Sequence, residues 1–486
     1  MLKRKSLLLV ASALVLSAAT AAAFWPAAQT LYTTPKSDYT PPTDSSELPM
    51  CVVPDAADTA CVFKSLMGEE ENKGFSKFDT PEEVQKALRE GLSWLVQAQQ
   101  ADGGWSAAMY AFRPGPKTGD GKRSGRAITA QHQTDDVKPH DVYGNVAHNN
   151  AQPGAFTSDP ATTAMACMAL LRCGQTTREG QYAQHLKKGL EFLLQSTEEN
   201  EQTANTNTTV RSTQPQHKLG QNIDVVLTAQ CLSNALNQLP KNDPLRKRIE
   251  QNLASCVQKI EKNQTDNGSF QGSGWAGVLQ SSFANNALES AQQQGVKVDK
   301  DVLKRSRDYQ QSNYDAKTGR VNTDLGAGVV LYSVSSSSRA SAQEARKAKD
   351  AIQKAQSQGI LKKDDAVNAE NLSKAGLSED EALRYATAYQ VNYAAKATAQ
   401  REDVLAGFGN NGGEEFLSYL QTGEGLIIAK DEGWKDWYSN ISGKLVQVQN
   451  ADGSWNGHHC ITSPAFCTAT CLLVLSVQND IAFLQR

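Results

Sequence analysis

Two short stretches near the C-terminus carry residue types that do acid–base chemistry. Gly412-Gly413-Glu414-Glu415-Phe416 follows a Gly- and Asn-rich loop and opens an apolar helical pattern, so both carboxylates fall in a first helical turn where the dipole favours their charge. Gly457-His458-His459-Cys460 follows the turn at Asp452-Gly453 and precedes the last apolar segment. A carboxylate and an imidazole gathered at one rim can act as general acid and base. His458, His459 and Cys460 are also zinc donors, provided the thiol is reduced; no other cofactor is evident. Plainer roles stay open for each: first-turn acids for Glu414 and Glu415, loop histidines packed on Trp455, and a disulfide between Cys460 and Cys467. His140, Asp141 and His148 form a looser set in a polar stretch.

The elements that must hold these residues are helical. Val84, Ala87, Leu88, Leu92, Leu95 and Val96 follow helical spacing behind Asp79-Thr80-Pro81-Glu82-Glu83, which supplies a cap, a first-turn proline and early acids. The same texture recurs to the C-terminus and strand-like alternation is nearly absent, so the chain reads as all-α. Three stretches interrupt it. Residues 113–158 and 198–221 are polar, too long for ordinary helix connections, and read as surface insertions. Residues 335–400 mix Lys, Arg, Asp and Glu with Ala and read as exposed, charged inserted helices.

Compartment is legible at the N-terminus. Lys3, Arg4 and Lys5 precede an apolar run from Leu7 to Ala23 that closes in Ala21-Ala22-Ala23, the pattern of a secretory signal peptide over residues 1–23. The run is also close to membrane-spanning length; its small-residue end favours cleavage, and no second stretch of that length follows. Residues 24–80 are rich in Pro, Ser, Thr and Asp and read as an extended arm before a helical body at 81–486. The expected product is exported, periplasmic or extracellular, without a transmembrane anchor once cleaved. With 49 Lys+Arg against 52 Asp+Glu and a net charge of −3, phosphate-driven nucleic-acid binding is excluded as the main business. Nine cysteines in an exported chain permit disulfides. Cys51 with Cys61 and Cys460 with Cys467 flank short loops, whereas Cys167, Cys173, Cys231, Cys256 and Cys471 sit in apolar helical patterns.

A repeat organises the helices. Gln99-Gln100-Ala101-Asp102-Gly103-Gly104-Trp105 and Gln449-Asn450-Ala451-Asp452-Gly453-Ser454-Trp455 share the form Q-x-x-x-G-x-W, and Gln264 to Phe270 keeps Gln and Gly with Phe for Trp. Lys188 to Leu193 and Val302 to Gln311 are partial copies. An Asp-Gly or Asn-Gly step supplies the positive-φ residue that stops a helix; the Gln can bond freed backbone groups and the aromatic can cover the turn. The motif reads as a structural joint.

These copies resemble the repeat of squalene and oxidosqualene cyclases and of protein prenyltransferase β subunits. The resemblance implies an α/α toroid of alternating inner and outer helices over about residues 80–335 and 400–486. Inner helices are expected from Asp159-Pro160, from Cys467, and over Ile223–Leu239 and Gly277–Gln294. The activities of that family are not supported by the residues they need. The cyclase acid motifs D-x-D-D and D-C-T-A do not occur, nor does the magnesium motif D-D-x-x-D. The Asp-x-Cys pair and final His of the zinc prenyltransferases are missing, although Phe466 to Cys471 resembles the surroundings of that His. Cys173-Gly174-Gln175 puts Gln at the wrong offset for a thioester. Aromatics make up 7% of the chain, and Trp105, Phe270 and Trp455 are taken up by joints. The expectation is therefore a toroid that binds an envelope ligand or partner. The alternative is a lyase or isomerase acting on an isoprenoid or polysaccharide through the rim of Glu414, Glu415, His458 and His459.

Overall fold

The computed structural model describes residues 80–107, 113–117, 123–126, 157–240, 242–270, 274–405, 412–457 and 460–480. The signal segment, nearly all of the arm, and Cys51, Cys61, His140, Asp141, His148, His458 and His459 lie outside the described residues. The described chain is predominantly helical, with two small antiparallel pairs, Arg113–Lys117 with Arg123–Arg126 and Tyr314–Asp315 with Arg320–Val321.

In chain order the helices are α1 (Glu82–Gln97), α2 (Pro160–Arg172), α3 (Ala183–Glu199), α4 (Gln214–Leu219), α5 (Ile223–Leu236), α6 (Pro244–Lys262) and α7 (Gly277–Gln293). There follow α8 (Lys300–Ser312), α9 (Val330–Ser357), α10 (Ala369–Lys374), α11 (Glu379–Ala399), α12 (Glu402–Leu405), α13 (Gly413–Ile428), α14 (Trp434–Gln447) and α15 (Pro464–Leu475).

Burial sorts the long helices into two kinds. Helices α2, α5 and α13 are buried along their whole length, and α7 and α15 along nearly all of it. Helix α2 is apolar or small on nearly every face, as in Ala164-Met165-Ala166-Cys167-Met168-Ala169, whereas α5, α7 and α13 also bury polar side chains such as Asp224, Glu289 and Glu424. Helices α1, α3, α6, α8 and α14 bury one stripe, for α1 including Val84, Leu88, Leu92 and Leu95. The buried helices contact one another in a closed circuit: α2 on α5, α5 on α7, α7 on α9, α9 on α13, α13 on α15, and α15 back on α2. The amphipathic helices lie against this circuit, α1 on α15, α3 on α2, α6 on α5, α8 on α7 and α9, α11 on α9, α14 on α13.

Two of the expected insertions are part of the body. The serine run Ser335–Ser338 and its continuation to Arg346 are buried, because α9 is a member of the central circuit. Small hydroxyl side chains let it pack closely on its neighbours, which composition alone reads as a polar surface. Only the far end of α9, with α10 and the start of α11, projects outward around its own small core of Ile352, Leu361 and Leu372. The 198–221 stretch is likewise tied down: Thr206, Asn207, Thr213, Gln214 and Gln216 are buried, and α4 opens with a Thr213–Gln216 capping box.

The Q-x-x-x-G-x-W turns join one helix pair to the next. In all three copies the glutamine amide donates to the carbonyl four residues on and to a carbonyl near the start of the following flanking helix. Gln99 reaches Gly103 and His185 (2.8 and 2.9 Å), Gln264 reaches Gly268 and Val302 (3.3 and 2.8 Å), and Gln449 reaches Gly453 and Ala87 (2.9 and 3.0 Å). The aromatic's backbone N–H donates to a hydroxyl in the next central helix, Trp105 to Thr163, Phe270 to Ser281, Trp455 to Thr468, at 2.9 to 3.1 Å. Each indole N–H donates ten residues back, Trp105 to Leu95 and Trp455 to Leu445. Gly103, Gly268 and Gly453 all have φ near +90° and press on the next flanking helix; a Cβ at Gly453 would lie 2.8 Å from the Glu90 carbonyl oxygen.

At the C-terminal ends of the central helices the circuit is crossed by charge. Arg172 pairs with Asp480 (3.0 Å) and Glu424 (2.7 Å); Glu424 with Arg339 (3.1 Å); Arg339 with Glu289 (3.5 Å); Glu289 with Arg307 (2.9 Å). Arg172 and Glu424 join α2 to α13, which are not neighbours in the circuit, and Asn286 on α7 donates to Gln421 on α13 (3.2 Å), also across it. These two bonds therefore reach across the circuit from one buried helix to another.

Three variants test the energetics of these contacts. Gly453→Ala should cost roughly 1–3 kcal/mol from left-handed strain and the Glu90 contact, read as a lower urea midpoint. Arg339→Ala, which removes the buried cation shared by Glu424 and Glu289 and leaves each carboxylate a single arginine partner, should cost about 3–5 kcal/mol. Arg248→Ala, at the partly exposed pair with Glu191 and Glu198, should cost under about 1 kcal/mol; equal losses would refute the contrast.

Candidate functional site

The opposite ends of the central helices form a rim, and the sequence-singled pair Glu414 and Glu415 lies in it. Gly413 N–H donates to Ile461 (2.8 Å) and the Ile461 N–H donates to Glu414 Oε2 (3.2 Å), so the start of α13 and the 460–463 loop are bonded together. The approach is close: a Cβ at Gly457 would lie 2.2 Å from the Ile461 carbonyl oxygen. Gln214 of α4 holds the same loop, accepting from the N–H groups of Thr462 (3.0 Å) and Ser463 (2.9 Å). Glu415 accepts a 2.5 Å hydrogen bond from the Tyr419 hydroxyl one turn later.

Burial pushes the Glu414 carboxyl up to about 7, with its hydrogen bonds and the Lys218 charge acting the other way. Tyr332, in the first turn of α9, is held protonated by burial and by the charges of Glu414 and Glu415 nearby. Cys460 adopts a left-handed backbone at φ 67°; burial and Glu414 raise its thiol while Lys218 opposes them. Cys460 and Cys467 are not joined by a disulfide. Cys467 is buried in α15 and its thiol donates to the Ile461 carbonyl (3.5 Å), so the expected bridge gives way to a hydrogen bond. Cys167, Cys173, Cys231, Cys256 and Cys471 are buried, as their helical patterns imply.

A shared device extends around the rim. Asp159 caps α2 through the Thr162 N–H and accepts the Ala107 N–H (both 2.9 Å), and Asp224 in α5 accepts the Asn207 N–H (2.6 Å). With Glu414, that makes three first-turn or cap carboxyls, each holding the backbone of the loop beside it. Burial raises all three, Asp159 to about 6. Lys218, Tyr332, Asp159 and Asp224 were not singled out as site residues from sequence. Asp159-Pro160 signals a helix start, but nothing in the linear pattern brings Lys218 or Tyr332 to Glu414.

Among the described residues no group of three or more His, Cys, Asp or Glu is placed to hold a metal ion, and no helix is long and apolar enough to cross a membrane. The zinc donors His458 and His459 lie outside the described residues. No protein-family model matches the chain, and no curated protein matches it in sequence.

The titration has a definite sign. Burial raises the Glu414 carboxyl to about 7 in the folded protein against its ordinary 4.5, so its contribution to stability is fully present below about 4.5 and is lost as pH rises through 7. The full difference is about 3 kcal/mol. Urea midpoints between pH 4.5 and 8 should fall less steeply for Glu414→Gln than for wild type, and parallel curves would contradict the assignment.

Proposed function

We propose that this chain is an exported α/α toroid with joints like those of the squalene cyclase and prenyltransferase repeat, which binds a polar ligand or partner of the cell envelope at the rim around Glu414. Support for the toroid comes from the closed circuit of six buried helices and from three motif turns that make the same bonds to the next helix pair. Support for export is the charged and apolar leader ending at Ala23, and the periplasm is its simplest destination.

One observation carries the binding assignment. The two ends of the ring differ: ion pairs and amides cross the interior at one end, whereas at the other Glu414, Tyr332, Cys460 and Lys218 converge from separate elements. A buried carboxyl beside a lysine and a tyrosine suits hydroxyl- or amide-bearing ligands better than a hydrocarbon. A lyase or isomerase is the second reading, favoured by Glu414 itself, because a carboxyl titrating at about 7 can both take and return a proton at neutral pH.

Native mass spectrometry of the full chain purified from its own envelope tests the binding role. The expected result is a mass increment on the wild-type protein that is lost or reduced at least tenfold in Glu414→Gln. A wild-type protein that carries no increment, or an increment that Glu414→Gln retains in full, would refute a ligand site at this rim.

A further inference from the structure

Resting on that rim reading, we infer that the ligand is a neutral or amino saccharide and that Trp275 is the surface on which a sugar ring stacks. Trp275 lies in the approach to α7 and is 68% exposed, whereas Trp94, Trp105, Trp434, Trp437 and Trp455 are buried. An exposed indole of this kind leaves a large apolar face in water, a cost that a ligand can relieve.

The backbone that carries the ring is held in place. Trp275 N–H donates to the His217 carbonyl (3.4 Å), Ala276 N–H donates to the Lys218 carbonyl (2.7 Å), and Gly274 is so close to the Leu219–Gly220 backbone that a Cβ there would meet it at 2.4 Å. The 274–276 segment is therefore laced to the end of α4, and the Lys218 ammonium sits 4.8 Å from the indole centroid. Lys218 also acts on Glu414 and Cys460, which ties the exposed ring to the rim. Four residues beyond Lys218, Asn222 is 2% exposed and neither of its amide atoms has a hydrogen-bond partner among the described residues. Buried amides are ordinarily satisfied, so this one adds a demand for a polar group beside the same loop.

The occupant must offer an apolar face and hydrogen-bonding edges together. A pyranose ring does so: its C–H face covers an indole while its hydroxyls reach a carboxyl, an ammonium or an amide. An isoprenoid would cover Trp275 but strip water from the Lys218 ammonium without replacing its hydrogen bonds. A strongly anionic ligand would meet Glu414, Glu415 and Asp159 at the same rim.

Isothermal titration calorimetry of the full chain with chito-, cello- and malto-oligosaccharides, and with farnesol and a neutral tetrapeptide as the competing classes, tests the inference. At least one oligosaccharide series should bind, with affinity reduced tenfold or more in Trp275→Ala and largely kept in Trp275→Phe. Thermal midpoints should match across the three proteins, since the indole is exposed. Binding of farnesol or the peptide in place of every oligosaccharide, no binding by any probe, or equal affinity for Trp275→Ala and wild type would overturn it. A lipid or peptide found on the envelope-purified protein would end the saccharide assignment and leave the rim site standing; an empty protein would end both.

Discussion

The architecture depends on the two hydrogen bonds of a single primary amide. In each full motif the glutamine Nε2 donates one N–H to its own turn and the other to the next flanking helix. A helix end ordinarily leaves carbonyls facing water; here the amide closes the turn and bonds it to the neighbouring pair in one step. The positive-φ glycine lets the two backbones approach, and the aromatic N–H then bonds the hydroxyl of Thr163, Ser281 or Thr468. The start of the following central helix is thereby placed, and with it the rim where the site lies.

After α3 the same mechanical task is done by different chemistry. There is no Gln-Gly-Trp turn there, and the 200–213 loop is held instead by Lys259 of α6. Its ammonium donates to the carbonyls of Asn200 (2.7 Å) and Thr206 (3.0 Å) and to Asn207 Oδ1 (3.0 Å). Asn207 N–H then bonds Asp224 of α5, in the role that an aromatic N–H and a hydroxyl play elsewhere. Direction is reversed, since the donor belongs to the later helix and reaches back.

That substitution explains much of what sequence could and could not say. Helical periodicity, the all-α class and the turn-closing half of the joint at Gln99, Gln264 and Gln449 are local properties, readable because those groups are written within seven residues; the bonds to His185, Val302 and Ala87 are not. The starts of α2, α5 and α7 were legible from Asp159-Pro160 and from apolar runs. Helix α9 was misread as charged surface, because its Ser335–Ser338 run is polar by composition and buried by packing. The candidate site was half legible: Glu414 and Glu415 declare themselves at a helix start, but Lys218 and Tyr332 reach Glu414 from two other elements. No linear pattern encodes that meeting, and the swap of a disulfide for the Cys467–Ile461 hydrogen bond is equally a matter of geometry.

The bond from Gln449 to Ala87 spans 362 residues of chain. It makes the ring a structure without a natural half: a growing polypeptide can assemble helix pairs one after another, yet the first flanking helix waits for α14 before both of its sides are covered. Order of synthesis and order of completion are therefore opposed, with the earliest helix among the last to be finished. Such long-range closure slows folding and leaves the apolar stripe of α1 uncovered on that side until α14 has formed. In exchange, the flanks of α1 and α14 cover one another, as neighbouring units of a stacked repeat do.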